Sequence, residues 1–418
     1  MSKAKRTSFD VIIVGGGMAG ASMALALAPL GLSIAVIEAH SYQASNQASF
    51  DDRCLALAWS SRQIYQAMGI WDKLAQRDGD GFEAIKKIHI SDRGHLGVTR
   101  LDHQQEAVEA LGYVVESRVV GDVLQDEMQH HKNITLYCPA TIEQLDCQPE
   151  QVAVSVGYQT KNIPLKAKLL ILADGLNSQT RASLGIQINQ RSYAQTAIIA
   201  NIKTQKAHQN IAYERFTDSG PLALLPLSQA RCSLVWTARD DQVADIMAMS
   251  DSVFAAALQQ RFGQRLGKIT QVGHRTAYPL VRMSINNDTL AHQNRVALIG
   301  NAAHGVHPVA GQGFNLGLRD ISALAELISA DQQADPGAEQ LLARYWQWRQ
   351  ADIKQVTQIT DGLITLFSNQ TKALAVLRSS GLLMTDIIAP LKHIIAHEAM
   401  GTGFLQGRLS KMAVGQSL

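Results

Sequence analysis

Cysteine is scarce in this sequence of 418 residues: there are four, Cys54, Cys138, Cys147 and Cys232, far apart, with no C-x-x-C pair and no Cys/His cluster. That spacing excludes a disulfide framework and a zinc site, so no metal is expected, and it suits a reducing cytosol. An excess of one charge is missing too. The 38 basic residues face 36 acidic ones, the formal net charge is +2 and no dense Lys/Arg block occurs, so nothing electrostatic favours nucleic acid as a partner. Internal repeats, low-complexity tracts and long flexible linkers are absent. One apolar run, residues 11–30 behind Lys3, Lys5 and Arg6, has the look of a signal peptide or membrane span, but Gly15, Gly16, Gly17 and Gly20 interrupt it and Gly31 closes it. Glycine at that density marks a strand, a turn and a helix.

What is present is apolar residue: 46% of the chain is hydrophobic and 18% charged, enough for two layered domains sharing one core. Residues 10–14 (DVIIV) and 33–38 (SIAVIE) are apolar, β-branched runs on either side of helix formers at 18–30, which predicts a βαβ unit in a parallel sheet buried on both faces. Strands are expected near 85–91, 111–115, 134–137, 152–156 and 169–173, with a helix near 119–129. From 185 to 285 the chain is strand-rich, and a second, mostly antiparallel sheet is expected over 197–202, 212–216, 222–226 and 232–237. RVALI (295–299) is again a parallel-type strand, and helical periodicity dominates from Phe314 onward. The expected division is a discontinuous nucleotide domain (1–80, 111–184 and 286–345), a substrate domain (81–110 and 185–285) and a C-terminal helical region (346–418).

Gly15, Gly17 and Gly20 form G-x-G-x-x-G directly after a strand and at the start of a helix. Gly15 permits the tight turn, Gly17 lets backbone approach a pyrophosphate, Gly20 lets helix pack on strand, and the helix N-terminus offers N–H groups to phosphate. Glu38 closes the second strand, where a carboxylate accepts hydrogen bonds from ribose hydroxyls. This pattern points to a dinucleotide without separating FAD from NAD.

Two later motifs separate them. Asp174-Gly175 with Ser178 and Arg181 forms D-G-x-x-S-x-x-R at the end of a strand, and it resembles the motif that serves FAD and nicotinamide in the class A flavoprotein monooxygenases. Gly300-Asn301-Ala302-Ala303-His304, followed by Pro308, Gly311-Gln312-Gly313, Asn315 and Asp320, resembles that family's second FAD fingerprint along its whole length. Asn301 stands where Asp is commoner; it can still accept from a ribityl hydroxyl without the negative charge. The resemblance implies that Gly311 and Gly313 pass close to the isoalloxazine. The next helix then aims N–H groups at the flavin pyrimidine ring, stabilising charge near N1 and O2. It also implies flavin contacts for Arg53 and Arg118, and it makes His304, His307 and Pro308 candidates for catalysis, although a structural His is the commoner outcome in a turn.

Segments of the substrate domain, among them Tyr213-Glu214-Arg215-Phe216, Gly220 to Pro226 and Arg231 to Trp236, resemble the ubiquinone-biosynthesis ring hydroxylases, as does Asn301. The implied fold is α/β, of the para-hydroxybenzoate hydroxylase type: a Rossmann-type FAD-binding domain with a parallel sheet, a substrate domain with a mostly antiparallel sheet, and C-terminal helices. The implied activity is an FAD monooxygenase using NADPH or NADH and O2. It hydroxylates 2-polyprenyl-6-methoxyphenol para to its hydroxyl, giving a 1,4-benzoquinol. Alternatives are a sister enzyme acting at another ring carbon, a non-oxygenating flavin oxidoreductase and a silent FAD-binding scaffold. A polyprenyl tail does not travel free in water, so the substrate is expected at a membrane surface or from a partner in a biosynthetic assembly. The expected location is the cytoplasm, peripheral to the inner membrane. Apolar segments at 363–367 and 382–395, flanked by Arg378, Lys392, Arg408 and Lys411, fit membrane contact, packing on the core or an oligomer interface equally well.

Overall fold

The computed structural model of the chain describes residues 6–41, 53–77, 82–286, 294–307, 311–330, 335–367, 372–403 and 407–418. Ser8–Val14 lies between Ile34–Ile37 and Lys161–Leu172, parallel to both. Toward their carboxyl ends these strands are continuous apolar runs, because the sheet there is covered on both faces. Val11, Ile13, Val36 and Leu169 enter one hydrophobic cluster, whereas Ile12, Val14, Ala35 and Leu170 enter another. Ile134–Tyr137 adds an edge beside Ile34–Ile37, and antiparallel Val152–Tyr158 and Ala140–Cys147 extend the far side. Val296–Leu298 pairs in parallel with Lys161–Leu172, so the sheet is completed only after the whole second layer has been built.

The second sheet has nine strands, mostly antiparallel, around the long Ile188–Thr204. One face packs on the helices Asp240–Ala248 and Asp251–Phe262 through Trp236, Phe254 and Leu258. A small third sheet of Cys54–Ala58, Gly112–Glu116 and Phe82–Ile85 stands beside the other two. The chain crosses from the first sheet to the second within a short span: Val296–Leu298 belongs to one, His304–Gly305 to the other, and only the turn Gly300–Ala302 separates them.

The strands expected from sequence are present, and others, among them Ala140–Cys147 and Thr276–Ile285, escaped that reading. Ala140–Cys147 is largely exposed and polar, and Thr276–Ile285 carries Pro279 and Arg282. Pro279 is accommodated because its partner strand is irregular between Ser192 and Thr196, where a missing N–H does little harm.

The C-terminal helices are Glu339–Phe367, Lys372–Ile387 and Ala389–Met400. They lie against the second sheet. The hydroxyl of Thr99 donates to the Leu382 carbonyl (2.8 Å), and Arg378 pairs with Asp92 (3.2 Å). Gly97 allows the close approach, since a Cβ there would stand 2.7 Å from Ser379 Cα. Asp361 on the first helix accepts from Arg282 (2.6 Å) and from Tyr193, both on the sheet. Among the described residues no helix is long and apolar enough to cross a membrane.

Candidate active site

The first part of the site is a track along the carboxyl ends of the parallel strands. Gly15 adopts φ +95°, and a Cβ there would meet the Ala173 carbonyl at 2.6 Å; one on Gly20 would lie 1.8 Å from the Gly15 carbonyl. Those two glycines serve the fold. Gly17 differs: an added Cβ would find nothing within 4 Å, and no side chain caps the helix Met18–Leu27 that it opens. Its surroundings leave room for a phosphate at helix N–H groups. Glu38 closes the rim as a buried carboxylate, accepting from the backbone N–H of Gly16 (2.6 Å) and His40 (2.8 Å).

Asp174 follows the central strand, and its Oδ1 is buried with no hydrogen-bond partner among the described residues. A buried carboxylate oxygen without a partner fits a polar ligand group at that point. Gly175 (φ +86°) has open space where a Cβ would stand, and Ser178 caps the following helix, accepting from Arg181 N (2.9 Å). The buried Arg181 guanidinium donates to the Ala302 carbonyl (2.9 Å) and the Leu176 carbonyl (2.7 Å), tying the second motif to the third.

The third motif is braced from beneath. Asp320 is fully buried and accepts from Gly300 N (2.9 Å), His304 Nε2 (2.7 Å) and Arg349 Nε (2.8 Å). Burial opposes its charge, but His304 and Arg349 outweigh burial and hold the carboxyl below the usual range. Arg349 and Arg319 share Asp352 at 2.6 and 2.9 Å, completing an ion network inside the protein. His304 is therefore placed in the scaffold. Gly311 (φ +63°) begins the helix Gln312–Ser329, with space for a Cβ blocked by Ala56 at 2.8 Å. Gly313 is more open, its nearest neighbour being Val306 at 3.9 Å. Asn315 has every amide position occupied: its oxygen accepts from Ala58 N (2.9 Å) and Ser61 Oγ (2.7 Å), and its nitrogen donates to the carbonyls of Ala56 and Gly311, both at 2.8 Å. It clamps the loop to the strand Cys54–Ala58.

Between the second and third sheets a cavity of about 720 Å³ opens, its lining including Arg53, Asn301, His307, Gly311, Gln312 and Asn315. Its floor is the second sheet, and its roof comes from Val356, Ile359, Leu363, Leu382, Ile394 and Ile395 of the C-terminal helices. Arg53 lies 4.8 Å over the Tyr278 ring. Asp51 and Asp52, the carboxylates beside Arg53 in sequence and its alternative partners in a salt bridge, lie outside the described residues, as does Pro308. His307 packs edge-on against Tyr193 (5.0 Å), and burial pushes its imidazole down to about 4, so it stays neutral near pH 7. Arg118 is half-exposed, pairs with Glu116 (2.6 Å) and is not part of the cavity lining.

The family of the FAD binding domain matches residues 8–360. Ubiquinone hydroxylase UbiL of Rhodospirillum rubrum is 38% identical over 395 residues, covering 94% of this chain and 90% of the relative. The solved p-nitrophenol 4-monooxygenase PnpA of Pseudomonas putida DLL-E4 shares the fold with a TM-score of 0.77 at 17% identity, over 96% of this chain and all of that one. The chain belongs to this family and is an FAD-dependent aromatic-ring monooxygenase. The 3-demethoxyubiquinol 3-hydroxylase of Escherichia coli K12 is 30% identical over 397 residues, covering 94% of this monooxygenase and 98% of the relative. Human mitochondrial ubiquinone biosynthesis monooxygenase COQ6 is 30% identical over 438 residues, covering 93% and 92%.

The residues fit the cofactor: the cradle at Gly17, the carboxylates of Glu38 and Asp174 and the N-terminus of Gln312–Ser329 lie in the order that a dinucleotide flavin needs. When bound, FAD carries electrons from NAD(P)H and transfers one oxygen atom of O2 to an aromatic ring. The protein binds and orients it, and keeps water from the reacting face. Sequence reading missed the Arg181 staple, Tyr278 beside Arg53, and the part of the C-terminal helices in enclosing the cavity. Its signal for the helices was the low charge of residues 363–367 and 382–395.

Proposed function

We propose that this monooxygenase hydroxylates 2-polyprenyl-6-methoxyphenol para to its hydroxyl, giving 2-polyprenyl-6-methoxy-1,4-benzoquinol in ubiquinone biosynthesis, with NADPH or NADH as electron donor. The observation that carries the reading is the cavity: its roof residues Ile359, Ile394 and Ile395 also reach the surface, Ile394 being 51% exposed. A ring seated in that cavity then has an apolar way out for its tail. Outside that opening Met384, Ile387 and Leu391 are exposed, Ile387 at 80%, a surface suited to lipid contact at the cytoplasmic face of the inner membrane. Relatives that are ubiquinone hydroxylases, one of them at 38% identity, support the pathway, and such a surface also suits docking in a biosynthetic assembly or against a second copy.

The E. coli relative is a 3-demethoxyubiquinol 3-hydroxylase, which favours a second reading in which oxygen enters at that other ring carbon. Mass spectrometry of quinone intermediates in a strain lacking the protein separates the two. Accumulated 6-methoxyphenol supports the para position, accumulated demethoxyquinone moves the assignment to the second reading, and an unchanged pool removes the protein from the pathway.

A further inference from the structure

The floor of the cavity is almost entirely hydrocarbon. Cross-strand register sets Ile90, Glu214, Ala223, Val235 and Ile199 in one row over five neighbouring strands, and all five line the cavity. Four are apolar. The fifth is a carboxylate, and it makes no hydrogen bond or ion pair among the described residues.

We propose that Glu214 is the base that receives the phenol proton of the ring substrate. The inference rests on the reading of this cavity as the hydroxylation site. A carboxylate in a row of Ile, Ala and Val adds nothing to packing and costs desolvation, so its place is explained by a polar group of the ligand. The other ionisable groups nearby are engaged or turned away. Asp92, two positions along the adjoining strand, is held by Arg378 (3.2 Å) and His95 (3.1 Å). Arg215 donates to the Arg261 carbonyl (3.0 Å), and His89 packs at a tilt against Tyr213 (5.7 Å), both on the opposite face. Arg53 and His307, which also line the cavity, pack on the Tyr278 ring (4.8 Å) and against Tyr193 (5.0 Å), and Glu398 borders it too. Burial by itself pushes the Glu214 carboxyl up to about 7, which suits a proton acceptor working near neutral pH.

The step is a proton transfer. The phenol O–H bond breaks, its electron pair stays on oxygen, and a carboxyl O–H forms on Glu214. The resulting phenolate enriches the ortho and para carbons. In the whole reaction NAD(P)H supplies two electrons and O2 is the oxidant. One oxygen atom enters the ring, the other leaves as water, and the ring carbon loses its proton to solvent.

The test compares FAD-loaded wild type with E214Q and E214D on a short-tailed 2-prenyl-6-methoxyphenol. For E214Q, hydroxylation is expected to fall by about 100-fold or more, and the acidic limb of the kcat/KM profile near pH 7 is expected to vanish, with E214D restoring part of both. Infrared difference spectra give a reading without turnover: a carboxyl band absent from E214Q should respond to the phenol and ignore its methyl ether. Activity within about three-fold of wild type with an unchanged pH profile, or a band blind to the phenol, overturns the proposal. If wild type hydroxylates no prenylated phenol, the functional reading fails separately, and the infrared band still decides whether Glu214 meets a phenol.

Discussion

The flavin track and the ring cavity are built by opposite means. The track is backbone: glycines with set clearances, helix N-termini and carboxylates at strand ends, each within a few residues of a strand. The cavity is side chain: its walls come from two sheets and four helices, and most of its lining is apolar residue that would be unremarked anywhere else. Local geometry therefore makes the cofactor site, and long-range register makes the substrate site.

Removing the brace beneath the flavin loop should have the largest effect. Asp320→Ala leaves His304 and Arg349 without their buried carboxylate, and breaking such a network is expected to cost about 3–5 kcal/mol. Thermal denaturation of the FAD-loaded protein measures it, and a change under about 1 kcal/mol would mean that water replaces the carboxylate.

The glycines allow a sharper division. Gly20→Ala drives a methyl into the Gly15 carbonyl and should destabilise the fold by about 1–3 kcal/mol or more. Gly17→Ala meets no protein atom, so stability should hold while FAD affinity falls by about tenfold, or ~1.4 kcal/mol. Melting and flavin-fluorescence titration together read both, and equal effects of the two substitutions would break the distinction. Asn315→Ala comes next: it strands Ala58 N and the carbonyls of Ala56 and Gly311, an expected loss of about 1–3 kcal/mol. FAD content should fall with it, because the loop at Gly311 loses its anchor.

The smallest effect is one of pH. His307, lowered from 6.5 to about 4, binds fewer protons folded than unfolded across that window, so its contribution to stability is lost as pH falls from 6.5 toward 4. Glu214, raised from 4.5 to about 7, works the other way, and its contribution is lost as pH rises through that window. The slopes oppose each other in wild type. E214Q should leave a stability that climbs more steeply between pH 4.5 and 6.5 in urea titrations, and an unaltered slope would contradict the shift at Glu214.

This contrast explains what could be read from the sequence. The first sheet was legible because strands buried on both faces are continuous apolar runs, and the glycine cradle because its constraint acts over a few bonds. Arg181 and Asn315 were visible as motif letters, yet their partners Ala302, Ala56 and Ala58 are ordinary alanines in other segments, and no local pattern marks a backbone carbonyl as an acceptor. The row through Glu214 needs the register of five strands before its isolation shows. The helices over the cavity read as packing, membrane contact or oligomer interface, because a low-charge helix looks the same in each setting.

The short crossing from Val296–Leu298 to His304–Gly305 bears on protein engineering. Specificity cannot be traded between related enzymes by exchanging the ring-binding layer as a cassette cut at that point, since one stretch of chain is both the floor of the flavin pocket and an edge of the neighbouring sheet. A workable graft keeps residues 296–305 with their supports Asp320 and Arg181, and changes the rows of the second sheet around them.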